Sequence, residues 1–216
     1  MISNNLKRRI YTSSILFTLI ILTMIYKPVL ALSLLMIGVF SLIEFFNMIK
    51  KSFKNKFYSS IVNFIFFFYI FSFCSIFFIL SYYPNFKVII FCLLFGCIAS
   101  DLGGFFFGKI FKGPKLTKIS PNKTISGSFG SIIFTSLIFS YSIFFFSKNF
   151  DYIIIIIAII TSIACQLGDL FFSLLKRKAK IKDSGNFLPG HGGFLDRFDG
   201  IFLGLPIGFL SLMFFY

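Results

Sequence analysis

Ser59 to Tyr83 reads SSIVNFIFFFYIFSFCSIFFILSYY, 25 residues without one charged side chain. A helix rises 1.5 Å per residue, so a stretch of this length crosses a hydrocarbon core about 30 Å thick and satisfies its own backbone where no water can. Similar stretches at 10–26, 28–49, 88–108, 127–147, 152–175 and 200–216 predict further spans, with Pro28 and Pro84 beginning or breaking spans where a missing N–H is tolerated. The predicted fold is therefore all-α, a polytopic transmembrane helical protein of about seven spans. Hydrophobic residues make up 57% of the 216 positions and charged ones 13%, and the mean hydropathy is +0.94. These values exclude a soluble globular domain.

Lys7, Arg8 and Arg9 precede the first apolar stretch, but no small-residue cleavage pattern follows, so the first span is expected to be retained. Alternate connections are basic: Lys7–Arg9, Lys50–Lys56, Lys109–Lys123 and Lys176–Arg197 together hold 18 of the 21 Lys and Arg residues. Only Lys27, Lys87 and Lys148 fall on the other side, which by the positive-inside rule puts the N-terminus in the cytoplasm and the C-terminus outside. The net charge of +14 then follows largely from loops lying against anionic headgroups. Nucleic-acid binding is not expected, because the charge is divided among short tethered loops. The four cysteines, Cys74, Cys92, Cys97 and Cys165, sit in apolar runs without CxxC spacing and read as small hydrophobes.

Six of the seven acids, Glu44, Asp101, Asp169, Asp183, Asp196 and Asp199, fall on the basic side, and only Asp151 falls on the other. Asp101 and Asp169 end long apolar runs, where an unpaired carboxylate costs about 2.5–3.5 kcal/mol on permissive insertion scales. A function or a partner must offset that cost. The densest polar segment, Ser173 to Gly200, reads SLLKRKAKIKDSGNFLPGHGGFLDRFDG. Its Lys176, Arg177, Lys178, Lys180 and Lys182 offer cations to phosphate, and Gly185, Gly190, Gly192 and Gly193 allow backbone N–H groups to approach an anion. Asp196 and Asp199, three apart, are expected on one face of a helix entering the last span, where such a pair can hold a hard divalent ion with Asp169 as a third ligand. Helix capping or ion pairing with Arg197 and the lysines is the alternative for these three aspartates.

This segment resembles the signature of the phosphatidate cytidylyltransferases (CDP-diacylglycerol synthases). Ser173, Lys176, Arg177, Lys182, Asp183, Pro189, His191, Gly192, Gly193, Asp196, Arg197 and Asp199 stand at its spacing. Upstream, Ser100-Asp101 before the Gly-rich run to Lys109, Ser120-Pro121-Asn122-Lys123-Thr124, and Gln166-Leu167-Gly168-Asp169-Leu170 are similar to further family segments, so the likeness covers roughly the C-terminal half. Leu102 and Ser126 stand where the family usually has Thr and Glu. The chain is also expected to have fewer spans than typical members, with the losses at the lipid-facing periphery.

The resemblance implies attack of a phosphatidate oxygen on the α-phosphorus of CTP, with release of pyrophosphate and formation of CDP-diacylglycerol. It implies catalytic roles for Asp169, Asp196, Asp199, Lys182 and Asp183, with Asp169, Asp196 and Asp199 as ligands of Mg2+ and a K+ ion nearby. Substrate binding is implied for Lys123, Ser173, Lys176, Arg177, His191, Gly192, Gly193, Arg197 and Asp101. His191, the one histidine, is expected to hydrogen-bond phosphate: a phosphomonoester with a second pKa of about 6 needs no strong base. Asp101 either contacts nucleotide or ion, or pairs with Lys123. Ser126–Ser131 is expected to serve helix packing more than phosphate binding.

Two regions are expected, membrane spans in 1–95 and a catalytic membrane region in 96–216 with loops 109–126 and 176–199. The expected partners are CTP, phosphatidic acid, membrane lipid and a second copy in a homodimer, in a bacterial inner membrane. A CTP-dependent polyprenol kinase or archaeal-lipid cytidylyltransferase is the nearest alternative. An anion transporter predicts polar residues throughout the spans, whereas here charge stops near one side. No Walker A motif occurs.

Overall fold

The computed structural model describes residues 4–117, 119–121, 123–185, 187 and 192–216, with side chains from Ser14 onward. Seven α-helices run through the described residues: α1 (Asn4–Ile25), α2 (Lys27–Ser52), α3 (Lys56–Leu80), α4 (Pro84–Phe111), α5 (Ile125–Ser147), α6 (Tyr152–Lys178) and α7 (Asp199–Phe215), with a 3-10 turn at Leu195–Arg197 before the last. They follow the seven predicted spans in order. Five of them, α2 to α6, are long and apolar enough to cross a membrane, while α7 and the described apolar part of α1, Ser14–Ile25, are shorter. Pro28 and Pro84 lie in the first turns of α2 and α4, where no intrahelical N–H bond is lost. Many large apolar side chains, among them Phe64, Phe71, Phe105 and Leu137, are exposed. Lipid is the solvent that suits such faces.

The chain divides into two compact units. One comprises Met1–Ile79 with Leu175–Arg197, the other Leu80–Leu174 with Phe198–Tyr216. In the first, α2 packs on α3 through the stacked rings of Phe45 and Phe66, 3.7 Å between centroids, and Met48, Ile49 and Ile70 are fully buried. Cys74 Sγ donates to the carbonyl of Leu34 at 3.5 Å.

In the second unit α4 and α5 meet backbone to backbone. A Cβ placed on Gly103 would lie 2.7 Å from Phe134 Cβ, and one on Gly127 would lie 2.8 Å from the carbonyl oxygen of Gly104. Ser131 Oγ donates to the Ser100 carbonyl at 2.7 Å. Between membrane helices, where lipid is as apolar as leucine, such close approach and interhelical hydrogen bonds supply the association. The small residues at the start of α5 therefore serve packing, as expected. Gln166 on α6 ties in α5, accepting from Ser128 Oγ and donating to the Ser128 carbonyl at 3.3 Å. Gly130→Ala would bring a Cβ within 2.8 Å of the Gly103 carbonyl oxygen. We expect it to destabilise the solubilised protein by about 1–3 kcal/mol, the usual cost of overpacking, visible as a lower melting temperature in detergent. An unchanged melting curve would contradict the α4–α5 contact.

Candidate active site

The second unit presents a carboxylate on α6. Asp169 forms an ion pair with Lys123, and Ser173, one turn further on, donates its hydroxyl to Asp169 Oδ1 at 3.4 Å. Lys123 is delivered by a tightly folded connection between α4 and α5. Leu116 N–H donates to the Lys123 carbonyl at 2.8 Å, Lys123 N–H to Ser120 at 3.1 Å, and Ile125 N–H to Pro114 at 3.0 Å. Thr124 then caps α5, its hydroxyl accepting from Gly127 N–H at 3.1 Å, the side-chain cap that an orphan first-turn donor requires. Asp199 opens α7, is 7% exposed, and accepts the N–H of Gly200 at 2.9 Å. Gly168 lets α6 approach it closely, since a Cβ there would lie 2.7 Å from the Asp199 carbonyl oxygen. Asp101 is exposed on α4.

The first unit gathers the dense polar segment. Lys176, Arg177 and Lys178 occupy the last turn of α6, where positive charge complements the carbonyl end of the helix dipole. The turn closes with Ile181 N–H donating to the Lys176 carbonyl and Lys180 N–H to the Arg177 carbonyl, both at 3.0 Å, and Lys180 takes φ 56°: a Schellman ending with lysine in the left-handed position. Lys178 lies 3.8 Å over the ring of Phe53. Arg177, Lys182, Asp183 and Arg197 are exposed.

Asp196 organises this segment. Lys176 Nζ donates to its Oδ1 at 2.6 Å, and the N–H groups of Ser184 and Gly193 donate to its Oδ2 at 2.8 and 3.1 Å. Burial pushes the Asp196 carboxyl upward, but the hydrogen bond and charge of Lys176 together with the two N–H groups outweigh it and hold the group below its ordinary value. Gly192 has φ +81°, a left-handed conformation that a side chain would strain. Glu44, on α2, is a further buried carboxylate whose acceptors are also taken by this segment. Sequence reasoning gave it no role. The signal was there, since Glu44 is the only acid in the first 100 residues.

The structure corrects one expectation. Asp196 and Asp199 do not project from a single helix face: Asp196 belongs to the 3-10 turn Leu195–Arg197, and α7 begins only at Asp199. The 3-10 turn brings Asp196 back onto Ser184 and Gly193, and Phe198, at φ −116° and ψ −2°, separates it from the helix. Of the expected ligand trio, Asp169 and Asp199 fall in one unit and Asp196 in the other. Among the described residues no three His, Cys, Asp or Glu side chains gather to hold a metal ion. Magnesium commonly takes one or two protein carboxylates and fills its remaining positions with water and phosphate. Asp169, with 28% of its side chain exposed, suits that pattern, whereas both oxygens of Asp196 are taken, Oδ1 by the Lys176 ammonium at the end of α6 and Oδ2 by the N–H groups of Ser184 and Gly193. His191, Pro189, Gly190 and Asn122 lie outside the described residues.

A search among known families matches residues 2–215 to the cytidylyltransferase family. A phosphatidate cytidylyltransferase of Rickettsia conorii is 35% identical over 220 residues, covering 96% of this chain and 91% of that protein. Proteins of the same name from Helicobacter pylori and Staphylococcus haemolyticus are 39% and 44% identical over 59% and 50% of this chain. The matched stretch spans only about half the length of these two, 48% and 42% respectively. Because the match runs from residue 2 to residue 215, across the helices and the basic, glycine-rich segment alike, the chain belongs to the cytidylyltransferase family.

Proposed function

We propose that this protein transfers the cytidylyl group of CTP to phosphatidate, forming CDP-diacylglycerol and pyrophosphate at the cytoplasmic face of a bacterial inner membrane. The observation that carries the reading is the near end-to-end match to the Rickettsia conorii protein. A phosphatidate oxygen attacks the α-phosphorus, the bond to the bridging oxygen breaks, and pyrophosphate leaves. Such a transfer depends mostly on alignment and on neutralising charge. Lys123, Lys176, Arg177, Lys182 and Arg197 supply cations for the triphosphate and the lipid phosphate. The phosphomonoester is already largely ionised near neutral pH, so no side chain has to remove a proton from it.

Asp169 and Asp199 are the residues that would hold Mg2+, which when bound offsets charge on the attacking and leaving oxygens. Asp196 instead keeps Lys176 and the glycine-rich segment in place. A nearby K+ and a homodimer rest on the family resemblance. The test is conversion of CTP and a short-chain phosphatidate by the purified protein in detergent with Mg2+. CDP-diacylglycerol and pyrophosphate are expected in equal amounts. A product formed with a polyprenol or an archaeal-type lipid, and none with phosphatidate, would replace the proposed acceptor.

A further inference from the structure

Glu44 is 2% exposed on an apolar helix, a position where a carboxylate is tolerated only if its oxygens are well satisfied. Among the described residues its donors come from the far end of the sequence. Ser184 Oγ donates to Oε2 at 2.6 Å, Leu195 N–H to Oε2 at 2.8 Å, and Phe194 N–H to Oε1 at 2.8 Å. One turn earlier on α2, Phe40 packs against Phe194 and Phe187, with centroids 5.5 and 5.0 Å apart.

Two glycines of the segment are fitted to this carboxylate. A Cβ on Gly193 would lie 2.6 Å from Glu44 Oε2, and one on Gly185 would lie 2.8 Å from Glu44 Cδ. With Gly193 N–H on Asp196, three successive N–H groups, of residues 193 to 195, are turned onto protein carboxylates. In this arrangement they do not face an incoming phosphate.

We propose that Glu44 is a positioning residue for the cytidylyl transfer: it anchors both ends of the glycine-rich segment, Ser184–Gly185 and Gly193–Leu195, so that the flanking Lys182, Asp183 and Arg197 are presented to the triphosphate of CTP. This rests on the function proposed above. It gives the first half of the chain a part in the site, and it assigns Gly185 and Gly193 to making room for Glu44.

The experiment compares Glu44→Gln and Ser184→Ala with wild type, full-length in detergent, by steady-state kinetics and by hydrogen exchange of peptides covering 192–197. Gln cannot accept three hydrogen bonds with one amide oxygen, so KM for CTP should rise about tenfold and kcat fall about tenfold, with KM for phosphatidate within about twofold. Exchange at 193–195 should accelerate about tenfold or more while the spans stay protected. Ser184→Ala removes one bond of three and should move the same quantities in the same direction by about threefold. Unchanged KM for CTP and unchanged exchange, with activity falling only as the folded fraction falls, would overturn the proposal. If Glu44→Gln does not fold, the absence of any shift in Ser184→Ala overturns it equally. Wild type that makes no CDP-diacylglycerol would instead sink the function, and the exchange comparison would still decide whether Glu44 anchors the segment.

Discussion

Asp169→Asn should lower turnover about a thousandfold while barely changing the melting temperature, because the change removes charge where charge must be managed during the reaction. The asparagine keeps the shape of the side chain and an oxygen for Ser173. It loses the anion that faces Lys123 and would hold Mg2+. Both partners are partly exposed, at 25% and 28% of their side chains, so an unpaired Lys123 remains hydrated and the fold loses little. The two readouts therefore separate. Turnover within about tenfold of wild type would remove Asp169 from the reacting centre, and a lost rate accompanied by a large fall in melting temperature would make its role structural.

The second large effect is expected at the pair formed by Lys176 and Asp196. Each has only 12% of its side chain exposed, so Lys176→Met leaves a nearly buried carboxylate with two backbone N–H groups and no countercharge. Breaking a buried pair from one side costs about 3–5 kcal/mol. We expect Lys176→Met to lower the stability by about 3 kcal/mol and turnover by about a hundredfold or more. Asp196→Asn spares Lys176 a severe penalty, because an ammonium on a flexible stem can swing towards water, but it weakens the hold on Ser184 and Gly193. The double variant should be more stable than the sum of the single losses predicts, by about 1–3 kcal/mol, since neither charge is then stranded. Strict additivity would mean the two groups are not coupled.

The helices were legible because lipid imposes one rule on every span, and Pro28, Pro84 and the basic clusters mark where each one starts or stops. Lys123, Asp169 and the Lys176 cluster could be singled out because charge in an apolar chain needs a reason. What each charge touches was not legible. Asp196 and Asp199 are three apart, and helical spacing puts them on one face, yet a single 3-10 turn sends Asp196 back to Lys176 and the segment at 184 and 193. Glu44 lies 140 to 151 residues from its partners. No local pattern encodes a hydrogen bond closed across that distance, and only the burial cost of the carboxylate hints at one. The glycines illustrate the same limit: a glycine-rich stretch reads as a phosphate cradle, but Gly193 faces Asp196 and Glu44.

In the proposed reaction CTP gives up its α-phosphorus to a lipid phosphate. The direct measurement supplies purified protein with phosphatidate and Mg2+, and with CTP labelled either at the α- or at the γ-phosphate. The α-label should enter the lipid fraction as CDP-diacylglycerol and the γ-label should leave entirely as pyrophosphate. A lipid carrying the γ-label, as a kinase would make, or no labelled lipid from either nucleotide, would contradict it.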